Sequence, residues 1–184
     1  MERTDCLVVG GGIIGLAVAR ALATTGREVI VLEAADAVGT QTTSRSSEFI
    51  HAGIYYSEDS LKARLCVRGR ELLTRYCDER GVSWNRPPGK LIVATDDAQI
   101  DRLEALFRHG IANGVDDLRR IGGDELHELE PEVRGVAALL SPPSTGIVDV
   151  DGMVRALRRD LESMGGRGGI AQQSDRRTHR IGRC

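Results

Sequence analysis

The sequence is poor in the features that would commit a chain to metal, membrane or nucleic acid. Its four cysteines, Cys6, Cys66, Cys77 and Cys184, show no C-x-x-C spacing, which removes the usual thiolate signatures. Cys6 lies in an apolar run, where a buried thiol is the bland reading, and a reducing cytoplasm is the expected compartment. His109, His127 and His179 stand apart without ligand spacing, so no metal site is expected. Neither sign of charge dominates: 25 basic and 27 acidic residues leave a formal net charge of -2, and neither nucleic acid nor a polybasic membrane anchor is expected. No apolar run is long enough to span a bilayer, and the opening MERTD, followed at once by a short apolar stretch, is no signal peptide. The expectation is a cytoplasmic protein, at most peripheral at the inner membrane, whose partner is a small molecule.

What is present is a glycine turn between two apolar runs. With 184 residues, 41% of them hydrophobic, the chain can build the core of one domain or a domain and a half. The stretch DCLVVGGGIIGLAVARALATTGREVIVLE reads as strand, glycine turn, helix, strand. Cys6 to Val9 form a continuous run expected of a parallel strand buried on both faces. Ile14, Ala17, Val18, Ala21 and Leu22 recur at helical spacing, Gly26 closes the helix, and Val29 to Leu32 make a second buried strand. The unit is βαβ.

Further on, Leu61, Leu65, Leu72 and Tyr76 fall on one face of a helix that ends at Gly81. RPPG is a turn and KLIVAT a strand. Asp96 or Asp97 can cap a helix carrying Ile100, Leu103 and Leu106, and GDELHELEP is a short acidic helix. GVAALL and GIVDV read as strands around the turn SPPSTG, followed by a helix with Val154, Leu157, Leu161 and Met164 on one face. The expected organisation is a first domain of residues 1–83 and 149–164, with residues 84–148 as part of an inserted α+β domain. From Gly165 the tail holds five glycines and five arginines in 20 residues without apolar periodicity, so residues 165–184 are expected to be disordered or aberrant.

Gly10, Gly12 and Gly15 form G-x-G-x-x-G around Ile13 and Ile14. The first glycine allows the tight turn, the second the approach of a pyrophosphate, and the third close packing of helix on strand. The helix N-terminus then offers N–H groups and partial positive charge to phosphate. Glu33, ending the second strand, can accept from both ribose hydroxyls and would repel a 2′-phosphate, which disfavours NADP. An NAD-binding half would continue into a third parallel strand, whereas this chain gives TQTTSRSSEFIHAG, whose hydroxyls and Arg45 suit the pyrophosphate and ribityl chain of FAD. A solvated serine and threonine loop is the alternative reading of that stretch.

VVGGGIIG with Glu33, then TTSRSSEFIHAGIYY, LKARLCVRGRELL, GKLIVAT, EPEV and SPPSTGIVD together resemble the L-2-hydroxyglutarate oxidase/dehydrogenase family, FAD enzymes of the D-amino-acid-oxidase-like group. The resemblance covers residues 4–164. It implies a Rossmann-type, glutathione-reductase-like FAD-binding domain coupled to a substrate domain on a mixed sheet. It implies oxidation of L-2-hydroxyglutarate to 2-oxoglutarate, with electrons passing to a quinone or to oxygen. By the same resemblance Gly10, Gly12, Ile13, Ile14, Gly15 and Glu33 would hold the ADP half, and Thr43, Ser44, Arg45 and Ser46 the pyrophosphate and ribityl chain. His51, Ala52 and Gly53 would approach the flavin ring.

The implied chemistry is hydride transfer from the α-carbon to flavin, with a base taking the hydroxyl proton. His51 could be that base, orient the flavin, attach it covalently, or serve structure alone. Tyr55 and Tyr56 could contact substrate or only pack. An amino-acid or amine oxidase of the same fold is the near alternative. Members of the family are about twice this length, so the chain reads as truncated at its C-terminus and its tail as a shifted reading frame. That predicts an open sheet edge, bare apolar faces and weak retention of FAD, or an inactive fragment.

Overall fold

In a computed structural model of the chain, residues 4–85, 89–141 and 145–170 are described. Most of the RPPG turn, the centre of SPPSTG and residues 171–184 of the tail lie outside the described residues. The elements run β1 (Cys6–Val9), α1 (Ile13–Ala23), β2 (Val29–Glu33), a 3-10 turn (Thr43–Arg45), β3 (Phe49–Ile50), α2 (Leu61–Arg80), β4 (Trp84–Asn85), β5 (Lys90–Ala94), α3 (Ile100–Ala112), β6 (Arg119–Gly122), α4 (Gly123–Leu129), β7 (Ala137–Ser141), β8 (Gly146–Val148), α5 (Val150–Ser163) and β9 (Arg167–Ile170). They form two compact units: residues up to Ser46 together with those from Val150 onward, and Ser47–Asp149.

The first unit is a parallel sheet in the order β1, β2, β9. Cys6 stands opposite Val29, and Ile30 opposite Arg167. The third strand therefore comes not directly after Glu33 but from residues read as tail, where a short Arg-Gly-Gly-Ile run has too little apolar pattern to announce a strand. It forms because α5 delivers it to the open edge of β2. Ala19, Ala23, Val29, Val31 and Leu161 make the core between sheet and helices, with Met164 packed against it. Arg20 Nε reaches Asp160 Oδ2 at 2.6 Å and ties α1 to α5.

Two faces of this unit differ from the expectation. β1 is not buried on both sides: Leu7 and Val9 are 55% and 82% exposed, and β1 pairs only with β2 among the described strands. On α1 the buried residues are Leu16, Ala19 and Ala23, while Ile14 and Val18 of the expected stripe are exposed. The helix sequence is apolar nearly all round, so periodicity cannot choose its inward face. The close approach at Gly15 chooses it instead.

The second unit carries two antiparallel sheets, β3-β8-β4 and β5-β7-β6. Every described pairing in it is antiparallel. β7 and β8, expected around one turn, join different sheets, and β6 was not anticipated because RRIG shows a single apolar residue facing the core. Ala52, Ile54, Ala94, Leu103, Val115, Leu118 and Leu139 form the main core, and Ile121, Leu126 and Ala138 a smaller one beneath α4.

Residues 47–83, expected with the first domain, cluster in this second unit. β3 is pulled there by its pairing with β8, Phe49 opposite Ile147. α2 is capped by Ser60, whose Oγ accepts from Ala63 N at 3.1 Å, and stopped by Gly81 at φ +63°. Its inward residues are Ala63, Val67 and Cys77, while Leu61, Leu65 and Leu72 of the expected face are exposed. Small residues let the helix lie close, since a Cβ on Gly53 would come within 3.0 Å of Val67 Cγ2.

Candidate functional site

In the first unit Gly10 makes the turn and Gly15 the close packing expected of the G-x-G-x-x-G residues. Gly10 has φ +103° with open space where a Cβ would point, and its N–H donates to Leu32 O at 2.7 Å, so the turn leaves β1 without obstructing its outer side. A Cβ on Gly12 would stand 3.0 Å from Thr43 Oγ1. A Cβ on Gly15 would stand 1.9 Å from Gly10 O, so only glycine lets α1 pack this close to the strand. Ile13 and Ile14 open α1, whose first N–H groups have no partner one turn back within the helix.

Glu33 is buried at the end of β2 and both its oxygens are engaged. Gly11 N donates to Oε2 at 2.6 Å and Ala35 N to Oε1 at 2.9 Å. These amides, Ala35 first, hold the carboxyl below the usual glutamate range against the opposing effect of burial. Each carboxylate oxygen keeps a second lone pair with which to accept from a ribose hydroxyl.

Of the expected pyrophosphate residues, Thr43 sits at the helix start, where its Oγ1 accepts from Ile13 N at 3.1 Å. Ser44 turns inward on its own loop, donating to Thr40 O or Gln41 O at 2.9 and 3.0 Å. Arg45 and Ser46 are exposed. The structure thus gathers Gly10, Gly12, Ile13, Gly15, Glu33 and Thr43 around one helix N-terminus and leaves Ser44 committed to its turn.

In the second unit His51, Ala52, Gly53, Tyr55 and Tyr56 all line one cavity of about 340 Å³. The segment is held from behind: Asn113 Nδ2 donates to Gly53 O at 3.0 Å and to Tyr56 O at 2.7 Å, and His109 Nε2 also bonds the Tyr56 carbonyl. The Cys66 thiol donates to His51 O at 3.2 Å. Burial pushes the Tyr56 phenol and the Cys66 thiol above their usual ranges, so both remain protonated donors near neutrality. Lys90 and Thr145 come to the cavity from distant parts of the chain and, like Ser47, Phe49, Ile50 and Ile54, were not singled out from the sequence. Lys90 was visible as the only charge in KLIVA, whereas Thr145 carried no signal inside a turn. A larger cavity of about 640 Å³ between β5 and α3 is mostly apolar. Among the described residues no group of three or more His, Cys, Asp or Glu side chains could hold a metal ion.

The family model for FAD dependent oxidoreductases (DAO) matches residues 5–168. The chain belongs to this FAD-dependent oxidoreductase family. It is 51% identical over 156 residues to the mitochondrial L-2-hydroxyglutarate dehydrogenase of Arabidopsis thaliana, covering 85% of this chain and 32% of that protein. Against the Homo sapiens protein of the same description the identity is 43% over 164 residues, 88% of this chain and 35% of the relative. The chain therefore spans about a third of the length of these curated relatives, less than the half expected. Its fold matches dithionite-reduced L-α-glycerophosphate oxidase of Mycoplasma pneumoniae with FAD bound at TM-score 0.84 and 28% identity, over 92% of this chain and 45% of that one. L-Proline dehydrogenase from P. horikoshii matches at TM-score 0.78 and 26% identity, over 91% and 44%. FAD is the family's cofactor, and the open glycine turn with its buried carboxylate fits the ADP end of that dinucleotide.

Proposed function

We propose that the chain is the FAD-holding part of an enzyme that oxidises a 2-hydroxy acid, most specifically L-2-hydroxyglutarate, to the 2-oxo acid. The observation that carries this reading is the His51 to Tyr56 cavity, lined by hydroxyl, imidazole and ammonium groups and, among the described residues, by no carboxylate, which suits an anionic substrate. The substrate's identity is supported by the relatives named for L-2-hydroxyglutarate. Gly10, Gly12, Ile13, Ile14, Gly15 and Glu33 hold the ADP half in this reading. Thr43, Ser44, Arg45 and Ser46 attend the middle of the cofactor, and Ala52 and Gly53 its ring end.

FAD, when bound, would supply the acceptor for the hydride leaving the substrate α-carbon, with a quinone or oxygen as final electron acceptor. His51 is the imidazole lining the cavity and takes the hydroxyl proton as the carbonyl forms. A purely orienting role would leave the pH profile of a His51→Asn variant unchanged, and a covalent link would keep flavin on acid-precipitated protein. Tyr55 and Tyr56 shape the substrate end. The free thiols Cys6, Cys66 and Cys77 fit a reducing compartment such as the cytoplasm, and among the described residues no helix is long and apolar enough to cross a membrane. A peripheral membrane contact would serve a quinone acceptor.

Fold likeness to L-proline dehydrogenase favours the second reading, an amino-acid or amine oxidase. The test is to supply FAD and an artificial electron acceptor with either L-2-hydroxyglutarate or amino acids and to analyse products. The first reading expects 2-oxoglutarate without ammonia; ammonia released from an amino acid would replace it with the second.

A further inference from the structure

The cavity beside His51 contains a polar group that the fold does not use. Thr145 is 5% exposed, lines the cavity, and its Oγ1 has no hydrogen-bond partner. A buried hydroxyl without a partner costs stability that a valine of the same shape would not. A ligand in the cavity is the partner that would complete the bond. Lys90, at the first position of β5, lines the same cavity with its ammonium 4.6 Å from the centre of the Tyr55 ring. Lys62 lies 4.6 Å over the ring of Tyr56, so a second cation stands beside the tyrosine pair. Ser47, Tyr55, Tyr56 and His51 add further polar groups, and among the described residues no Asp or Glu contributes to the lining. A pocket with an ammonium, a buried hydroxyl and no carboxylate selects for an anion, and the planar, multiply accepting carboxylate matches several donors at once.

We propose that Lys90 and Thr145 form a carboxylate-binding subsite that holds one end of a short dicarboxylate substrate in the second unit. The proposal deepens the hydroxy-acid reading and rests on it for the identity of the substrate, but the subsite itself is a binding property of this chain. The volume, about 340 Å³, falls in the range of small-molecule pockets, about 300–1,000 Å³. Lys90 supplies charge and Thr145 a fixed donor, so the two differ in what they contribute. Loss of the ammonium should weaken any anion, whereas loss of the hydroxyl should weaken binding while relieving the unpartnered group.

The test is calorimetric titration of the full chain with glutarate, an unreactive five-carbon dicarboxylate, and with its neutral diamide. Lys90→Gln should weaken glutarate by about tenfold or more and Lys90→Arg should restore most of it. Thr145→Val should weaken glutarate several-fold yet raise the melting temperature of the ligand-free protein by a few degrees, and Thr145→Ser should retain binding. The diamide should be insensitive to all four changes. Emission of Trp84, the single tryptophan, on the strand paired with β8 reports that this sheet is intact in each variant. Glutarate binding that is absent in the parent, or that is unchanged in Lys90→Gln and Thr145→Val, would overturn the subsite whatever reaction the protein performs. Binding that depends on both residues without formation of 2-oxoglutarate would leave the subsite standing and remove the hydroxy-acid reading instead.

Discussion

Replacing Gly15 by alanine tests the claim that the glycine turn is built for close packing as well as for a ligand. The new Cβ would lie 1.9 Å from Gly10 O, and real Cβ contacts essentially never fall below 3.0 Å, so helix and strand must part by about 1.1 Å. The obstacle is main chain and cannot rotate away. Overpacking of this kind costs about 1–3 kcal/mol, and the rigid partner puts Gly15 at the upper end. Alanine's helix preference returns about 1 kcal/mol, which leaves a net loss of about 2 kcal/mol. For a chain of this size that lowers the melting temperature by about 4–8 °C. The assay is thermal melting followed by circular dichroism, paired with FAD affinity from quenching of flavin fluorescence. Gly69, within α2, has nothing within 4 Å of its Cβ position, so Gly69→Ala is the control and should raise stability by up to about 1 kcal/mol. A Gly15→Ala protein as stable as the parent and binding FAD equally well would refute the reasoning.

Two further substitutions probe the supports of each unit. Glu33→Gln replaces one accepting oxygen by a donor, so Gly11 N or Ala35 N loses its partner at a cost of about 1–3 kcal/mol. Because the folded carboxyl titrates below its unfolded value, its contribution is complete above about pH 4.5 and disappears as pH falls through the folded value; chemical denaturation across pH 3–7 should show this slope in the parent and a shallower one in Glu33→Gln. Asn113→Ala removes the donor to Gly53 O and one of the two donors to Tyr56 O, and hydrogen exchange at residues 53–56 should accelerate while glutarate affinity falls. Unchanged exchange there would show that the loop is held by something else.

The βαβ unit was legible because its signals agree: a short apolar run, glycines at fixed offsets and a carboxylate ending the second strand. Which side of α1 and α2 turns inward was not legible, because leucines dominate a periodic reading whereas the close contacts are made by Gly15, Ala19, Ala63 and Val67. β9 escaped for a related reason. Arg-Gly-Gly-Ile has almost no side chains to read, and only the backbone edge of β2 recruits it. At the candidate site the run from His51 to Tyr56 was visible as an unusual composition, and it folds into one cavity. Lys90 and Thr145 enter that cavity from far along the chain, through the β5 start and the β8 turn, and such long-range placement leaves no local pattern. Ser44 was chosen for its type alone, and its hydroxyl proton goes to Thr40 O or Gln41 O within its own turn, which leaves only the oxygen lone pairs for a further contact.

The central claim is that this chain, loaded with FAD, presents it to a 2-hydroxy acid. The most direct measurement is the visible spectrum of the protein in a modest excess of FAD, recorded anaerobically before and after addition of L-2-hydroxyglutarate, with the D enantiomer and L-glutamate as comparisons. The flavin band should bleach with L-2-hydroxyglutarate and not with the other two. Bleaching by L-glutamate instead, or a flavin band that no hydroxy acid alters, would contradict it.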